Sequence, residues 1–250
     1  MIETLLTTAV TVIGRHPHAS NAAYVVECAT DSAPVRALYK PAAGERQLWD
    51  FPDTVLGLRE VAAYEVSQQL GIPHVPPTVW REDLPLGPGS LQLWIDDASV
   101  ADVDVVESPD EGWLHVLDAE LTDGTCVQVV HRDLPDLRAL ALLDAVMNNA
   151  DRKAGHLLRD PEGRLWAVDH GVTFHAEPKL RTVLWGFAAR PIEQALLQRI
   201  SDDLLDIPAL RTALTDAELL ALRHRINVLH TSGRYPLPSE DWPAIPWPIF

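Results

Sequence analysis

Cysteine is scarce: Cys28 and Cys126 are the only two in 250 residues, and no CxxC spacing occurs. That excludes a disulfide framework and a cysteine-based zinc site, and points to two small buried hydrophobes in a reducing compartment, the cytoplasm. Basic residues are also few. Against 36 Asp and Glu stand 20 Lys and Arg, a formal net charge of −16. Such a chain lacks the electrostatic footprint of a nucleic-acid binder and is repelled by an anionic membrane surface. No apolar run approaches the length of a transmembrane helix. The mildly apolar residues 1–14 place Glu3 where a secretory leader needs basic charge, with no small-residue cleavage site after them. Paired metal-binding histidines on one helix are missing, because "HPH" at His16–His18 is interrupted by proline. No internal repeat is present.

What the chain does contain is a globular composition, 47% apolar, long enough for one large domain or two small lobes sharing a cleft. "NAAYVVECA" (21–29) and "PVRALYK" (34–40) predict a β-hairpin across the turn-forming "TDSA". "GLREVAAYEVSQQLG" (57–71) predicts a helix, with Leu58, Ala62, Val66 and Leu70 on one stripe and Gly71 closing it. "VPPTVW" (75–80) and "SLQLWI" (90–95) predict two short strands. Residues 96–111 are acidic and poor in large side chains, as in an exposed insertion or linker.

From Asp133 the pattern is mainly helical. "LPDLRALALLDAVMNN" puts Leu134, Leu137, Leu140 and Ala141 on one face, and "RLWAVDHG" (164–171) reads as a strand running into a polar cluster. "PIEQALLQRI" (191–200) and "LTDAELLALRHRINVLHTSG" (214–233) predict two further helices, the second opened by a Thr215/Glu218 capping box and stopped at Gly233. The Pro/Trp-rich residues 235–250 predict an extended wrap over the surface.

The residues with chemical potential fall at element ends. Lys40 closes an apolar strand and Glu60 lies early in a helix about 20 residues later. Such a pair can hold nucleotide phosphates, although a solvated strand-end lysine and a first-turn carboxylate have the same spacing. Upstream, "HPHASNAAY" offers a phosphate-covering turn through Ser20 and Asn21. Only Gly14 lies nearby, so a glycine-rich loop signature is absent. In "DAVMNNADRKAGH" (144–156), Asp151 sits where a carboxylate can orient a hydroxyl and accept its proton. Asp169, before a glycine at a strand end, can present a carboxylate to Mg²⁺, with His156 as a second ligand or hydrogen-bond donor. Asn/Asp clusters also serve ordinary helix ends and turns. Asp151, His156, Asp169, His170 and His175 together allow a rival reading, a metal-dependent phosphohydrolase. Asp144 reads as a structural partner inside the helical part.

"NNADRKAGHLL…LWAVDHG" resembles the catalytic-loop and metal-loop pair of the phosphatidylinositol 3- and 4-kinase-like superfamily, which includes HipA-like kinases. "LYKPAAGERQLWDFP…REVAAYEVSQQLG…VPPTV" is similar to an uncharacterised actinobacterial family described as distantly related to those kinases. The resemblance implies an α+β, two-lobed protein-kinase-like fold: a small β-rich N-lobe with one helix (1–95) and a larger, mainly helical C-lobe (96–250). It implies a transferase that uses ATP and Mg²⁺ (or Mn²⁺) to phosphorylate a hydroxyl of a protein or small molecule. Lys40 becomes the phosphate-binding lysine and Glu60 its partner, Asp151 the catalytic base with Lys153 beside it, and Asp169 the main metal ligand. Gln92, Leu93 and Trp94 become the inter-lobe hinge whose backbone holds adenine, and residues 172–191 the activation-loop equivalent. The sequence departs from the pattern at Lys153, where the family has His, and at His156, where it has a metal-binding Asn. An oxygen ligand suits Mg²⁺ better than imidazole. A catalytically weak or inactive nucleotide-binding regulator, a pseudokinase, is therefore the alternative.

Overall fold

A computed structural model of the chain describes residues 1–17, 21–51 and 54–250. The N-terminal lobe is built on a five-stranded antiparallel sheet, order β1-β2-β3-β5-β4, of β1 (Val10–Arg15), β2 (Tyr24–Cys28), β3 (Val35–Pro41), β4 (Thr78–Arg81) and β5 (Gly89–Leu93). Alternation along β3 turns Ala37, Tyr39 and Pro41 into the lobe and leaves Lys40 on the opposite face. Val26, Cys28, Ala37, Tyr39 and Leu91 form a small core closed by Leu5 of a helix, α1 (Ile2–Thr7). This helix, within the mildly apolar first 14 residues, adds a second helix to a lobe expected to have one.

The other helix, α2 (Leu56–Gln69), starts without a side-chain cap at Val55. Its orphan donors are met from a distance: Glu45 accepts from Leu56 N and Gly57 N, both at 2.8 Å. The predicted stripe is mostly buried. Ala62, Val66 and Leu70 join the large core of the C-terminal part rather than that of the sheet, and Leu58 is only half-buried. Burying a side chain such as Val66 or Leu70 stabilises by about 1.5–3 kcal/mol, so this stripe anchors α2 to the second lobe while the helix also packs on β4 and β5.

The acidic segment 96–111 is not a simple linker. It contributes β6 (Ser99–Val100) and β7 (Val103–Val106), and β7 pairs with an unforeseen hairpin, β8 (Trp113–Glu120) and β9 (Cys126–Arg132), in the order β7-β9-β8. Small side chains had disguised it. Val103 is buried opposite His131, and Arg159 ties Asp102 and Asp136 together. Cys126 lies exposed on β9, whereas Cys28 is buried.

Beyond this hairpin come α3 (Pro135–Met147), β10 (Leu157–Arg159), β11 (Leu165–Ala167), α4 (Gln194–Leu197), α5 (Pro208–Ala213) and α6 (Asp216–Ser232). A third sheet runs β11-β10-β6. α3 is buried on nearly every side and forms the lobe's axis. α6 has the expected Thr215/Glu218 capping box and ends at Gly233 with φ +61°. The helix expected over 191–200 shrinks to the single turn of α4. Ile192 donates to Gly233 O, and Pro191 bridges to Arg234, so pairing with the chain beyond α6 keeps this stretch extended. Among the described residues, no helix is long and apolar enough to cross a membrane.

Candidate active site

The lobes meet over Lys40. Its Nζ donates to Glu60 Oε1 on α2 and, at 3.1 Å, to Asp169 Oδ1 beyond β11. Two close packings make the meeting possible. A Cβ on Gly89 would stand 2.4 Å from Lys40 O, so only glycine lets β5 lie this close to β3. A Cβ on Gly171 would come within 3.2 Å of Leu56 Cβ, so the "DHG" glycine brings the Asp169 loop against the start of α2. Asp169 itself adopts φ +61°, a left-handed conformation that aspartate tolerates better than most residues.

Asp151 and Lys153 stand on a braced loop. Asn148 ends α3 in the left-handed region and donates to His175 O (3.0 Å) and Glu177 O (2.6 Å). Asp144, fully buried, accepts from Asn149 Nδ2 and from Arg152 Nε and Nη2, each at 2.9 Å. Arg152 also donates to Val168 O at 2.8 Å, linking this loop to the one carrying Asp169. Asn149 Oδ1 accepts from Asp151 N, which orients that backbone. Lys153 Nζ lies 3.2 Å from Asp151 Oδ2, and His156 Nε2 lies 3.6 Å from Asp169 Oδ2.

The electrostatics separate these groups. Burial opposes the Lys40 ammonium, but the Asp169 and Glu60 carboxylates outweigh it and raise its pKa. Lys40 in turn holds the Asp169 carboxyl well below the usual carboxylate range. Burial, reinforced by the like charge of Asp169, pushes Glu60 up. Burial also raises Asp151, against the pull of Lys153. His156 is lowered to about 4 by burial and is a neutral imidazole near pH 7. An ionised Asp169 and a neutral His156 side by side are a donor pair that fits a divalent cation whose remaining ligands are phosphate and water oxygens. The nitrogen suits Mn²⁺ better than Mg²⁺. Among the described residues, no group of three or more His, Cys, Asp or Glu is placed to hold a metal by itself.

A cleft of about 420 Å³ brings Asn21, Lys40, Glu60, Asp151, Lys153, His156 and Asp169 together. Ser20 lies outside the described residues. Gln92, Leu93 and Trp94 do not reach the cleft lining. Gln92 is buried on Thr78 and near Glu60, while Leu93 N and Trp94 N donate to Pro77 O and Arg36 O. The N–H groups of Leu93 and Trp94 are thus taken up by neighbouring chain within the lobe. The five-residue hydrolase cluster also fails to assemble. His170 is fully buried with Nε2 accepting from Arg152, and His175 turns away to Asp50 O and the Phe51 ring.

Sequence reasoning missed Glu45 and Arg46, which line the cleft from a loop with no periodic pattern. It also missed Arg59, next to Glu60 and 2% exposed. Arg59 donates to Glu218 Oε1 on α6 at 2.6 Å and to Thr173 O, and it stacks over Phe51. This buried residue pins the helix that carries Glu60.

No family model matches the chain. Protein Rv2133c of Mycobacterium tuberculosis (strain ATCC 25618 / H37Rv) is 43% identical over 257 residues, covering 96% of this chain and 92% of that protein. Among solved structures, the Golgi casein kinase superposes with a TM-score of 0.57 at 13% identity, over 95% of this chain and 78% of that chain. The Helicobacter pylori proinflammatory kinase CtkA aligns with a TM-score of 0.49 at 10% identity, over 92% and 96%. The Golgi casein kinase likeness, over nearly the whole chain, shows the kinase-like two-lobed fold. At 43% identity over nearly its whole length, the chain belongs to the family of Mycobacterium tuberculosis protein Rv2133c.

Proposed function

We propose that this protein is an ATP- and divalent-metal-dependent phosphotransferase acting on an alcohol hydroxyl. One observation carries the reading. A single cleft holds a lysine bonded to two carboxylates from different lobes and faces a second carboxylate–lysine pair, Asp151 and Lys153. Phosphoryl transfer asks for positioning and charge stabilisation more than covalent chemistry, and these are the required parts. Lys40, held by Glu60, binds nucleotide phosphates. Asp169 and His156 hold Mg²⁺ or Mn²⁺, which when bound neutralises phosphate charge. Asp151 orients the acceptor hydroxyl and takes its proton, and Lys153 stabilises the transferred group. Ser20 and Asn21 are the residues assigned to cover the phosphates, with Ala23, Leu48 and Val172 as apolar surfaces in the cleft.

The motif resemblance supports placing the family near the phosphatidylinositol 3- and 4-kinase-like and HipA-like kinases. The net charge of −16 disfavours a lipid head group as acceptor. The domain reading remains an N-lobe over 1–95 and a C-lobe over 96–250, in the cytoplasm. The test is ATP turnover by purified protein with Mg²⁺ or Mn²⁺. Asp151→Asn is expected to lower it by about 10²–10⁴-fold while calorimetric ATP affinity stays unchanged. A wild-type protein that binds no nucleotide sinks the reading.

One observation favours the pseudokinase alternative. Lys153 N lies 3.5 Å from His156 Nδ1, a contact that favours the tautomer with its proton on Nε2, the nitrogen facing Asp169. That proton has to leave before Nε2 can ligate a metal. ATP-induced thermal stabilisation without turnover under either metal would select this alternative.

A further inference from the structure

The stretch 179–183, in the activation-loop equivalent, has both backbone edges occupied. On one edge Arg181 N donates to Asn149 O, Arg152 N to Arg181 O, and Val183 N to Arg152 O, so the catalytic loop takes that side. Thr182 N points the opposite way and donates to Ala244 O of the Pro/Trp-rich tail at 3.1 Å. Trp185 Nε1 donates to the same carbonyl at 2.8 Å, and Arg181 Nη2 to Ile245 O at 3.1 Å. Farther along, Ile249 O accepts from Ala154 N of the catalytic loop at 2.8 Å, with the Ile249 side chain buried. At the other end Lys179, 3% exposed, is clasped between the Trp242 and Trp49 rings, 4.6 and 5.0 Å away, and bonded to Asp50. The tail is thus a third line of chain laid over the segment and tied to both lobes.

We propose that the tail occupies the strip on which an extended polypeptide acceptor would dock, so that the acceptor is a small hydroxyl-bearing molecule entering through the cleft. This rests on the phosphotransferase reading and narrows its acceptor. A recurring way to hold an extended peptide is to add it to a free backbone edge, and here Thr182 N and Ala154 N are already paired with Ala244 O and Ile249 O. Asp151 is reached instead from the cleft, which Arg46 also lines and where the Asp151 side chain is 30% exposed beside Lys153. In the transfer, the acceptor oxygen forms a bond to the γ-phosphorus and the bond to the β,γ-bridging oxygen breaks. The proton passes to Asp151, and the electron pair departs with ADP.

Full-length protein, γ-labelled ATP and Mn²⁺ are incubated separately with desalted cellular protein and with a protein-free ultrafiltrate of the same cells. Label in small molecules and none in polypeptide is the expected result. Label in polypeptide overturns the proposal and leaves the phosphotransferase reading standing. Hydrolysis to free phosphate with no label in either pool overturns it too. No ATP consumption at all overturns both. Hydrogen exchange provides a second readout: the amides of Thr182 and Ala154 are slow in the wild type, and Trp242→Ala accelerates that of Thr182. Fast exchange of both in the wild type means the strip is open, and the proposal fails.

Discussion

Arg59→Met removes a guanidinium that joins α2 to α6. The partners are buried, with side chains 2% and 10% exposed, so water replaces little of the lost interaction. Removing one member of a buried ion pair costs about 3–5 kcal/mol, because the other charge is left unpaired. Glu218 keeps its Oε2 contacts with Thr215 N and Oγ1, which argues for the lower part of that range. Taking about 3–4 kcal/mol at about 2–4 °C per kcal/mol for a chain of this size, the melting temperature falls by roughly 6–16 °C. Urea unfolding of the single variants and of Arg59→Met/Glu218→Gln measures the coupling. The double variant removes the stranded charge while keeping a capping-box side chain, so it recovers much of the loss. On the proposed phosphotransferase reading, Arg59→Met is also expected to weaken ATP binding below the melting transition, because Glu60 is the next residue on the loosened helix. A stability loss under about 1 kcal/mol, the worth of an exposed pair, would refute the assignment of Arg59 as a buried link between α2 and α6.

If the proposed metal site holds, His156→Asn replaces a nitrogen donor by an oxygen donor and is expected to shift the metal preference of turnover from Mn²⁺ toward Mg²⁺; an unchanged preference removes His156 from the proposed site. Gly89→Ala forces a Cβ to within 2.4 Å of Lys40 O and 2.9 Å of Pro41 Cα, atoms that cannot yield, and should cost about 1–3 kcal/mol in a denaturant titration. His131 is fully buried, and burial lowers its pKa to about 4. An unfolded histidine takes its proton near pH 6.5, so the unfolded state binds more protons between about pH 4 and 6.5 and stability rises with pH there. His131 contributes up to about 1.4 kcal/mol per pH unit to that slope. His131→Asn should flatten it, and an unaltered slope contradicts the buried neutral imidazole.

Features governed by near neighbours in the chain were legible in the sequence. The Thr215/Glu218 box and Gly233 bound α6 because capping satisfies donors and acceptors within one turn. The β2–β3 hairpin follows from two β-rich runs and a short turn, and the buried stripe of α2 from four-residue spacing. Lys40, Glu60, Asp151 and Asp169 could be picked out because strand ends and helix ends are where a chain exposes chemistry to a cleft. Tertiary structure decided what depends on partners far away in the chain. Val103–Val106 becomes a strand only because β9 offers it an edge, and residues 191–193 stay extended because Gly233 and Arg234 pair with them. Leu93 and Trp94 spend their N–H groups inside the sheet, a use invisible without the register. Arg59 meets Glu218 across 159 positions, and the tail meets Thr182 across more than 60. Sequence by itself therefore determined which short segments become elements and where polar groups gather at their ends. Only the fold decided which of those groups share one cleft and which backbone edges remain open, because burial and hydrogen-bond pairing are settled among distant residues.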